Sequence, residues 1–357
     1  MLNSDYRYHP NQLCDTVRNH SGTEEECLLM QQFKTRMTEL LGIQYPIMCG
    51  GMQNAANPEL AVAVSEAGGL GITNISMYPD LKEFRSVLRA MRGMTKKPLA
   101  VNISMLPNIE IGENIFSYVD ICAEEGINVI ETSGKDPAPL APRIHAAGMK
   151  LIHKVPMPRH AVRAEKSGAD LVSIVGAEAA GHPSPDLVGT MIAVNKASRL
   201  VRIPVIAGGG ICDGRSLLAA LALGAEGAVM GTRFLATKEC TISDNHKRWI
   251  LDHGEKDTVL CQKAIRNMIR VAHTGAADDC LQLEQQPGVT LSDLMPVISG
   301  AVSKESYRTG DVETGMFPVG QDIALIEDLP TAKELMERII REATEGTSRL
   351  NSMLAGG

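Results

Sequence analysis

Aromatic residues are scarce in this chain of 357 residues, which has five Phe, six Tyr and one Trp. Hydrophobic residues nevertheless make up 44% of the sequence, an ordinary share for a globular protein. The core must therefore be built from Ala, Val, Ile and Leu, together with the 18 Met.

Other absences each exclude a class of protein. The sequence has no apolar run long enough to cross a bilayer, and its polar start, "MLNSDYRYHPNQLC", has no signal-peptide pattern. It has no long basic block and a net charge of -7, which argues against nucleic acid as the main partner. The eight cysteines form no CxxC pair and no Cys/His cluster, so neither a disulfide framework nor a metal site is expected. These features predict a cytoplasmic protein with reduced thiols.

A repeating unit fills most of the chain: a short apolar strand, a Gly-rich or polar turn, and an amphipathic helix. Strands without polar alternation are buried on both faces, as in parallel sheets, and glycines end the helices as C-caps. Eight strands are predicted at 46–49, 70–73, 99–104, 129–132, 150–155, 171–175, 204–208 and 227–231. Eight such units predict a (β/α)8 TIM barrel. A doubly wound open sheet is the alternative, but no GxGxxG motif follows the first strand.

The pattern divides the chain into four regions. Residues 1–34 form an N-terminal extension, and residues 35–240 form the barrel. Residues 241–320 are expected to be a helical cap inserted after strand 8, because the stretch from "SDNHKRW" to "VAHT" has the mixed polarity of helices. Residues 321–357 contain the amphipathic stretch "TAKELMERIIREATEG" and are expected to complete the barrel with a helix.

Glycines follow the seventh and eighth predicted strands, in "VIAGGGICDG" and "GAVMGT". In a (β/α)8 barrel these two loops often bind a phosphate, and bare backbone N–H groups at a helix N-terminus suit that task. We expect Gly209, Gly210, Gly231 and Thr232 to form such a site. Tight turns between strand and helix are the alternative explanation.

Polar or small residues end the other strands, where they can surround a flat heterocycle. These residues are Gly51, Met52, Gln53, Asn102, Ser104, Lys154, Gly181 and His182. If Lys154 faces the barrel lumen, its ammonium can stabilise negative charge on a reduced flavin ring; the alternative is a buried ion pair. His182 is a candidate general base because an unperturbed histidine titrates near neutrality, although a loop histidine is often a bystander.

Five stretches of the sequence occur together and in order in one known family. They are "YPIMCGGMQNAANPELAVAVSEAGGLGIT", "VNISMLP", "GAEAAGHPSPD", "PVIAGGGICDGRSLLAALALGAEGAVMGTRFLATKEC" and "GMFPVGQDIALIEDLP". From about residue 35 to 350 the chain resembles the nitronate monooxygenase family. That family also contains NADH:quinone reductases and flavin-dependent enoyl-acyl-carrier-protein reductases.

The resemblance implies a barrel that holds FMN non-covalently. Its phosphate would lie on Gly209, Gly210, Gly231 and Thr232. Its ring would contact the residues after strands 1 and 6 and on strands 3 and 5, namely Gly51, Met52, Gln53, Asn102, Ser104, Lys154 and Gly181. His182 matches the base of the monooxygenases.

One departure favours a branch of the family. Ala180 stands where monooxygenase members usually have Gly, and "GGMQ", "VIETSGKDP" and "KLIHKV" resemble the NADH:quinone reductases. The resemblance therefore implies an NAD(P)H:quinone reductase that moves hydride from NADH or NADPH to FMN and then to a quinone-type acceptor.

Other activities stay open. Nitronate monooxygenase activity with O2 is the first alternative. An enoyl-acyl-carrier-protein reductase, a phosphosugar enzyme and a flavin-binding protein without turnover are more remote. The partner is then a small molecule, a quinone, nitronate or enoyl compound, and a homodimer also stays open.

Overall fold

Eight parallel strands form a barrel in the computed structural model, which describes residues 33–105 and 113–354. The strands β1–β8 are Ile47–Cys49, Gly71–Asn74, Leu99–Ser104, Val129–Ser133, Lys150–Val155, Leu171–Val175, Val205–Gly208 and Gly227–Met230. Every predicted strand is confirmed, with ends that agree to within one residue. Nearly all of the predicted N-terminal extension lies outside the described residues.

The barrel closes between its first two strands. Each strand pairs with the next from β2 to β8, and β1 pairs with β8. The backbone N–H of Cys49 donates to the Leu70 carbonyl at 3.0 Å, and the N–H of Leu70 donates to the Ile47 carbonyl at 2.9 Å. Closure leaves no long sheet edge with unpaired backbone groups.

Helices surround the barrel. Helices α1–α8 are Arg36–Leu41, Pro58–Glu66, Leu81–Met94, Glu113–Glu124, Ala141–Ala146, Pro158–Lys166, Thr190–Leu200 and Gly214–Ala222. Several begin where the sequence favours it: α2, α5 and α6 have Pro in their first turn, and the Asp80 side chain caps α3. No helix of the described residues is both long enough and apolar enough to cross a membrane.

The C-terminal helix completes this ring. Helix α14 (Ala332–Leu354) packs against α8 and α2, so the expected closing helix is confirmed and extends further than the predicted 331–346. A 3₁₀ turn at Gln321–Leu325 precedes it, and another, at Ile75–Met77, follows β2. The core is mostly aliphatic, as expected, although Phe84, Phe234 and Phe317 are among its largest fully buried side chains.

Residues after β8 form the cap, which is not wholly helical. Its helices α9–α13 are Thr232–Leu235, Asp244–Asp252, Gly275–Glu284, Leu291–Ile298 and Gly300–Thr309. The expectation of helices throughout is wrong at β9 (Thr258–Cys261) and β10 (Ile269–Ala272), which pair as an antiparallel hairpin. Both segments, "TVLC" and "IRVA", contain β-branched residues that favour strands. The hairpin packs on α11 and α12 in a small apolar cluster of its own.

The cap is attached to the barrel at two loops. Arg270 on β10 forms an antiparallel bridge with Gly181 after β6: the Arg270 N–H donates to the Gly181 carbonyl at 2.7 Å, and the Gly181 N–H donates to the Arg270 carbonyl at 3.1 Å. After β1, Nδ2 of Asn54 donates to the Gly300 carbonyl at 2.8 Å. The cap therefore reaches from the β1 loop to the β6 loop, at the end of the barrel where the strands terminate.

Two buried histidines couple the fold to pH. His153 on β5 lies 2.8 Å from Oγ1 of Thr132 through its Nδ1, and His246 in the cap lies between the hydroxyls of Ser243 and Ser306. Burial lowers the pKa of each histidine to about 4. In the unfolded chain the ordinary value is about 6.5, so between pH 4 and 6.5 the unfolded state binds more protons than the folded state.

We therefore expect the free energy of unfolding to fall as the pH drops from about 6.5 to 4. A difference of one pKa unit between the folded and unfolded states changes the free energy of unfolding by about 1.4 kcal/mol. The buried carboxyl of Asp322, whose pKa burial raises to about 6, opposes this trend with a single group. Urea unfolding between pH 4.5 and 7 measures the slope, and His246→Gln should make it shallower. His273→Gln, at an exposed position, is the control; an equal slope in His246→Gln and the unmodified chain would contradict this assignment.

Candidate active site

Two glycine loops meet where β7 and β8 end. Gly209 and Gly210 have φ angles of 94° and 72°, which residues with a side chain rarely adopt. A Cβ on Gly209 would lie 3.0 Å from the backbone nitrogen of Ala179. The N–H groups of Gly209, Gly210 and Gly231 have no acceptor within the described part of the chain. Such N–H groups are available to an anion, and we refer to Gly209, Gly210 and Gly231 as the glycine cradle.

The first N–H groups of helix α8 already have carboxylate acceptors within the protein. Asp213 caps α8 by accepting the N–H of Ser216 at 2.8 Å through Oδ1. Oε2 of Glu342, on α14, accepts the N–H of Gly214 at 2.8 Å. Two carboxylates already occupy the positive end of this helix, so the loops themselves must supply the donors for a phosphate.

The hydroxyl of Thr232 is engaged within the protein. Its Oγ1 accepts the N–H of Gly320 at 2.9 Å, and it forms a hydrogen bond with the carboxyl of Asp322. A Cβ on Gly320 would lie 2.3 Å from Oδ1 of Asp322 and 2.9 Å from the carbonyl oxygen of Glu178. Thr232 thus fixes the late "VGQD" loop against the cradle, and Gly320 and Asp322 join the surroundings of the site. The sequence signal for them was their place in "GMFPVGQDIALIEDLP".

A buried polar layer lies in the lumen below the β1 loop. Asn74, Asn102 and Glu131 are direct neighbours on β2, β3 and β4. Nδ2 of Asn74 donates to Oδ1 of Asn102 at 2.8 Å, and Nδ2 of Asn102 donates to Oε2 of Glu131. A Cβ on Gly51 would lie 2.5 Å from Cβ of Asn102, two strands away, so this contact crosses the lumen. Only glycine allows the β1 loop to approach Asn102 this closely.

Asn74 and Glu131 were not among the predicted site residues. The signal was present, because "GITN" and "VIET" each place a polar residue near the end of an otherwise apolar strand. Such a residue in a buried strand requires a polar partner.

Lys154 lies in the same lumen, nearer the mouth. It pairs with Ser133 on β4 and Ser173 on β6, and Ser133 shares a strand face with Glu131, two residues earlier. The neighbouring His153 binds Thr132 and therefore faces the other side of the sheet. Among the described residues Lys154 forms neither an ion pair nor a hydrogen bond, so the alternative of a buried ion pair is not observed there.

His182 lies at the barrel mouth on a loop that the cap holds in place. The guanidinium of Arg270 donates to the Ala177 carbonyl through Nε at 3.1 Å and Nη2 at 2.9 Å, while its Nη1 donates to Oγ1 of Thr258. These bonds add to the bridge between Arg270 and Gly181. The loop from 177 to 182 is thus tied to the hairpin at both of its ends.

The imidazole of His182 is held in its neutral form. Desolvation by the surrounding walls, and secondly the positive charge of Lys154, lower its pKa to about 4. The side chain is nevertheless exposed at the mouth of the barrel. The Lys154 charge therefore acts on His182, and the two side chains belong to one site.

The remaining predicted residues lie around the same mouth. Met52 is partly buried against the core and Ser104 ends β3, beside Ser133. Gln53 is exposed, and its Nε2 would lie 2.6 Å from a Cβ on Gly300, so this side chain packs against the start of α13 in the cap. All predicted site residues thus lie at the ends of β1, β3, β5, β6, β7 and β8, and their individual roles stay predictions.

Comparison with known proteins agrees with this architecture. The family model described as nitronate monooxygenase matches residues 34–342. A Rhodococcus jostii protein, (3aS,4S,5R,7aS)-5-hydroxy-7a-methyl-1-oxo-octahydro-1H-indene-4-carboxyl-CoA dehydrogenase, is 31% identical over 91% of this chain and 100% of its own length. A probable nitronate monooxygenase of Staphylococcus saprophyticus is 27% identical over 89% of this chain and 100% of its own length.

A solved structure is also similar over nearly the whole fold. FabK from Thermotoga maritima superimposes with a TM-score of 0.82 and 35% sequence identity, covering 90% of this chain and 99% of that one. With the family model matching 34–342 and the barrel closed as described, the chain belongs to the nitronate monooxygenase family of flavin-dependent oxidoreductases.

Proposed function

We propose that this chain binds FMN and uses it to reduce a quinone-type acceptor with electrons from NADH or NADPH. The observation that carries the proposal is the Lys154 ammonium, which lies in the lumen without a partner among the described residues and next to a neutral His182. A positive charge in that place suits a ring that gains negative charge when it takes up electrons.

The residues of the site fit FMN. The N–H groups of Gly209, Gly210 and Gly231 offer donors for one terminal phosphate. In the lumen, Ser104 and Lys154 are partly exposed and offer polar groups to a polar ring edge. When bound, FMN supplies the hydride and electron chemistry, and the protein supplies its position and surroundings.

His182 supports the reductase reading over proton abstraction. A general base works best with a pKa near the working pH, and a pKa of about 4 lies well below that range at pH 7. A neutral imidazole still carries one N–H, which can donate to a carbonyl oxygen of an acceptor. Hydride transfer from NAD(P)H to the ring needs no base, so the low basicity of His182 does not impede it.

The same chemistry admits a carbonyl compound other than a quinone. Enoyl thioesters carry a carbonyl conjugated to a C=C bond, and the Rhodococcus jostii relative is named for a CoA thioester. An enoyl-CoA therefore belongs beside a quinone in the acceptor panel. Nitronate oxidation is the second candidate, because the Lys154 charge can also attract an anionic nitronate, which has already lost its proton.

The first experiment is a visible spectrum of the purified protein, followed by anaerobic addition of NADH or NADPH. Bleaching of a bound flavin, identified as FMN after denaturation, supports the reductase; reoxidation by a quinone, an enoyl-CoA or O2 with a nitronate then identifies the acceptor. A colourless protein that gains no flavin on incubation with FMN would contradict the proposal and favour a phosphosugar enzyme.

Gly209→Ala tests the glycine cradle. The added Cβ would lie 3.0 Å from the Ala179 nitrogen and oppose a φ of 94°, so we expect FMN to bind roughly ten- to a hundredfold more weakly, as for loss of a hydrogen bond to a charged group. Gly148→Ala is the matched control: its φ is 75° and its Cβ would meet nothing within 4 Å. Both variants should lose stability from backbone strain, and only Gly209→Ala should lose FMN affinity. Equal FMN dissociation constants in the two variants would remove Gly209 from the site.

His182→Ala separates the two chemistries. In a reductase, stopped-flow reduction of the flavin by NADH should stay nearly intact, and the loss should appear in the reaction with the acceptor. If proton abstraction from a neutral nitroalkane were the true activity, turnover of that substrate should fall about 10²–10⁴-fold, and turnover of the preformed nitronate should fall less. Collapse of NADH-driven flavin reduction with FMN still bound would contradict the reductase assignment.

A further inference from the structure

We propose that Glu131 is a positioning residue that fixes the Asn102 amide beside the flavin and whose carboxylate lowers the reduction potential of bound FMN. The inference rests on the FMN site of the proposed function. It assigns a role to a residue of the lumen that touches neither the glycine cradle nor the His182 loop.

A chain of hydrogen bonds gives every amide in the polar layer one orientation. The backbone N–H of Ser76 donates to Oδ1 of Asn74 at 2.8 Å. Because a backbone N–H can only donate, Asn74 must direct Nδ2 toward Asn102, whose Oδ1 accepts at 2.8 Å. Asn102 must then direct Nδ2 toward Glu131, whose Oε2 accepts. The chain starts at a fixed backbone donor and ends at a carboxylate, so neither amide can flip without losing two hydrogen bonds.

The orientation matters because of what Asn102 faces. The β1 loop approaches the Asn102 side chain closely enough that any Cβ on Gly51 would overlap it. Asn74 also directs Nδ2 toward the Gly51 carbonyl, at 3.4 Å. The layer therefore fixes the height of the β1 loop as well as the donor that Asn102 presents next to it. Glu131→Gln keeps an oxygen for the Asn102 amide, because the Ser76 donor already sets the direction of the chain, so this substitution removes the carboxylate and leaves the amide orientation unchanged.

The carboxylate is also a charge without a full set of partners. Glu131 is completely buried, and its Oε1 has no hydrogen-bond partner in the described part of the chain. Lys154 lies on the next strand, paired with Ser133, which is two residues beyond Glu131 on the same face of β4. Glu131 and Lys154 thus bring a carboxyl group and an ammonium group into the lumen, with no ion pair between these two described residues. In a buried site such charges act on a ring that gains electrons with opposite signs: Lys154 favours reduction and Glu131 opposes it.

The test is the midpoint potential of bound FMN, set with a chemical reductant so that it does not depend on NAD(P)H. We expect Glu131→Gln to raise the potential by at least a tenfold change in the reduction equilibrium, which is about 30 mV for a two-electron couple. Lys154→Met should lower it, and the double variant should return toward the unmodified value. Ser173→Ala is the control, because Ser173 has a buried, unpartnered hydroxyl on β6 and carries no charge; it should leave the potential unchanged.

Glu131→Asp separates position from charge. It keeps the carboxylate but draws it back by one methylene from Asn102, so FMN should bind several-fold more weakly while the potential stays near the unmodified value. If Glu131→Gln does not fold or does not hold FMN, Glu131→Asp still tests the positioning role. Unchanged FMN affinity in Glu131→Asp would overturn that role. An unchanged or lowered potential in Glu131→Gln would overturn the role of the charge. Absence of FMN from the unmodified protein would instead contradict the proposed function.

Discussion

Parallel pairing around a closed ring is the constraint on which the rest of this molecule depends. Parallel strands all end at the same mouth of the barrel, and the hydrogen bonds of Leu70 with β1 close the ring. Gly51, Lys154, His182 and Gly209 are therefore brought to one place although they are separated by as many as about 160 residues in the chain. Each apolar strand needs to carry only one or two residues for the site, and the ladder supplies their relative positions.

The cap contacts the barrel at that mouth. It contacts the β1 loop through Asn54 and Gly300 and the β6 loop through Arg270 and Gly181. Because these loops lie on different sides of the barrel, the cap links them into one frame. Arg270 therefore connects the hairpin, which has its own apolar cluster, to the loop that carries His182. Its guanidinium donates twice to one carbonyl of that loop.

The barrel could be predicted from sequence because its signals are local. Apolar runs such as 99–104 and 150–155, each ended by a turn, define a strand without knowledge of its neighbours. The β9–β10 hairpin was missed because four-residue segments among polar residues have no clear period. The partner of the α8 N-terminus could not be predicted from sequence either: Glu342, which takes the Gly214 N–H, lies 128 residues further along the chain. Sequence spacing does not reveal such a partner.

The polar layer of the lumen shows which contacts cannot be predicted from the local sequence. Asn102 could be picked out as one polar residue in an apolar strand, but its function depends on Asn74 and Glu131, which only the strand register places beside it. Thr232 is a second case, because its hydroxyl holds Gly320 and Asp322, which lie far along the chain. In both cases the residue type indicated a polar role, but the sequence did not show which residue would be its partner.

Partners also decide the surroundings that a flavin would meet, since among the described residues Lys154 has no ion pair and Oε1 of Glu131 has no hydrogen bond. Burying a carboxylate is costly unless its oxygens find donors, and Asn102 supplies a donor to only one oxygen of Glu131. The surrounding aliphatic core supplies the stability that offsets the remaining cost of burying this group. Under the proposed function, β4 and β5 place two opposing charges beside the flavin, and we propose that these strands, rather than the cap, set how readily it accepts electrons. The cap and the His182 loop would then bear on which acceptor receives them.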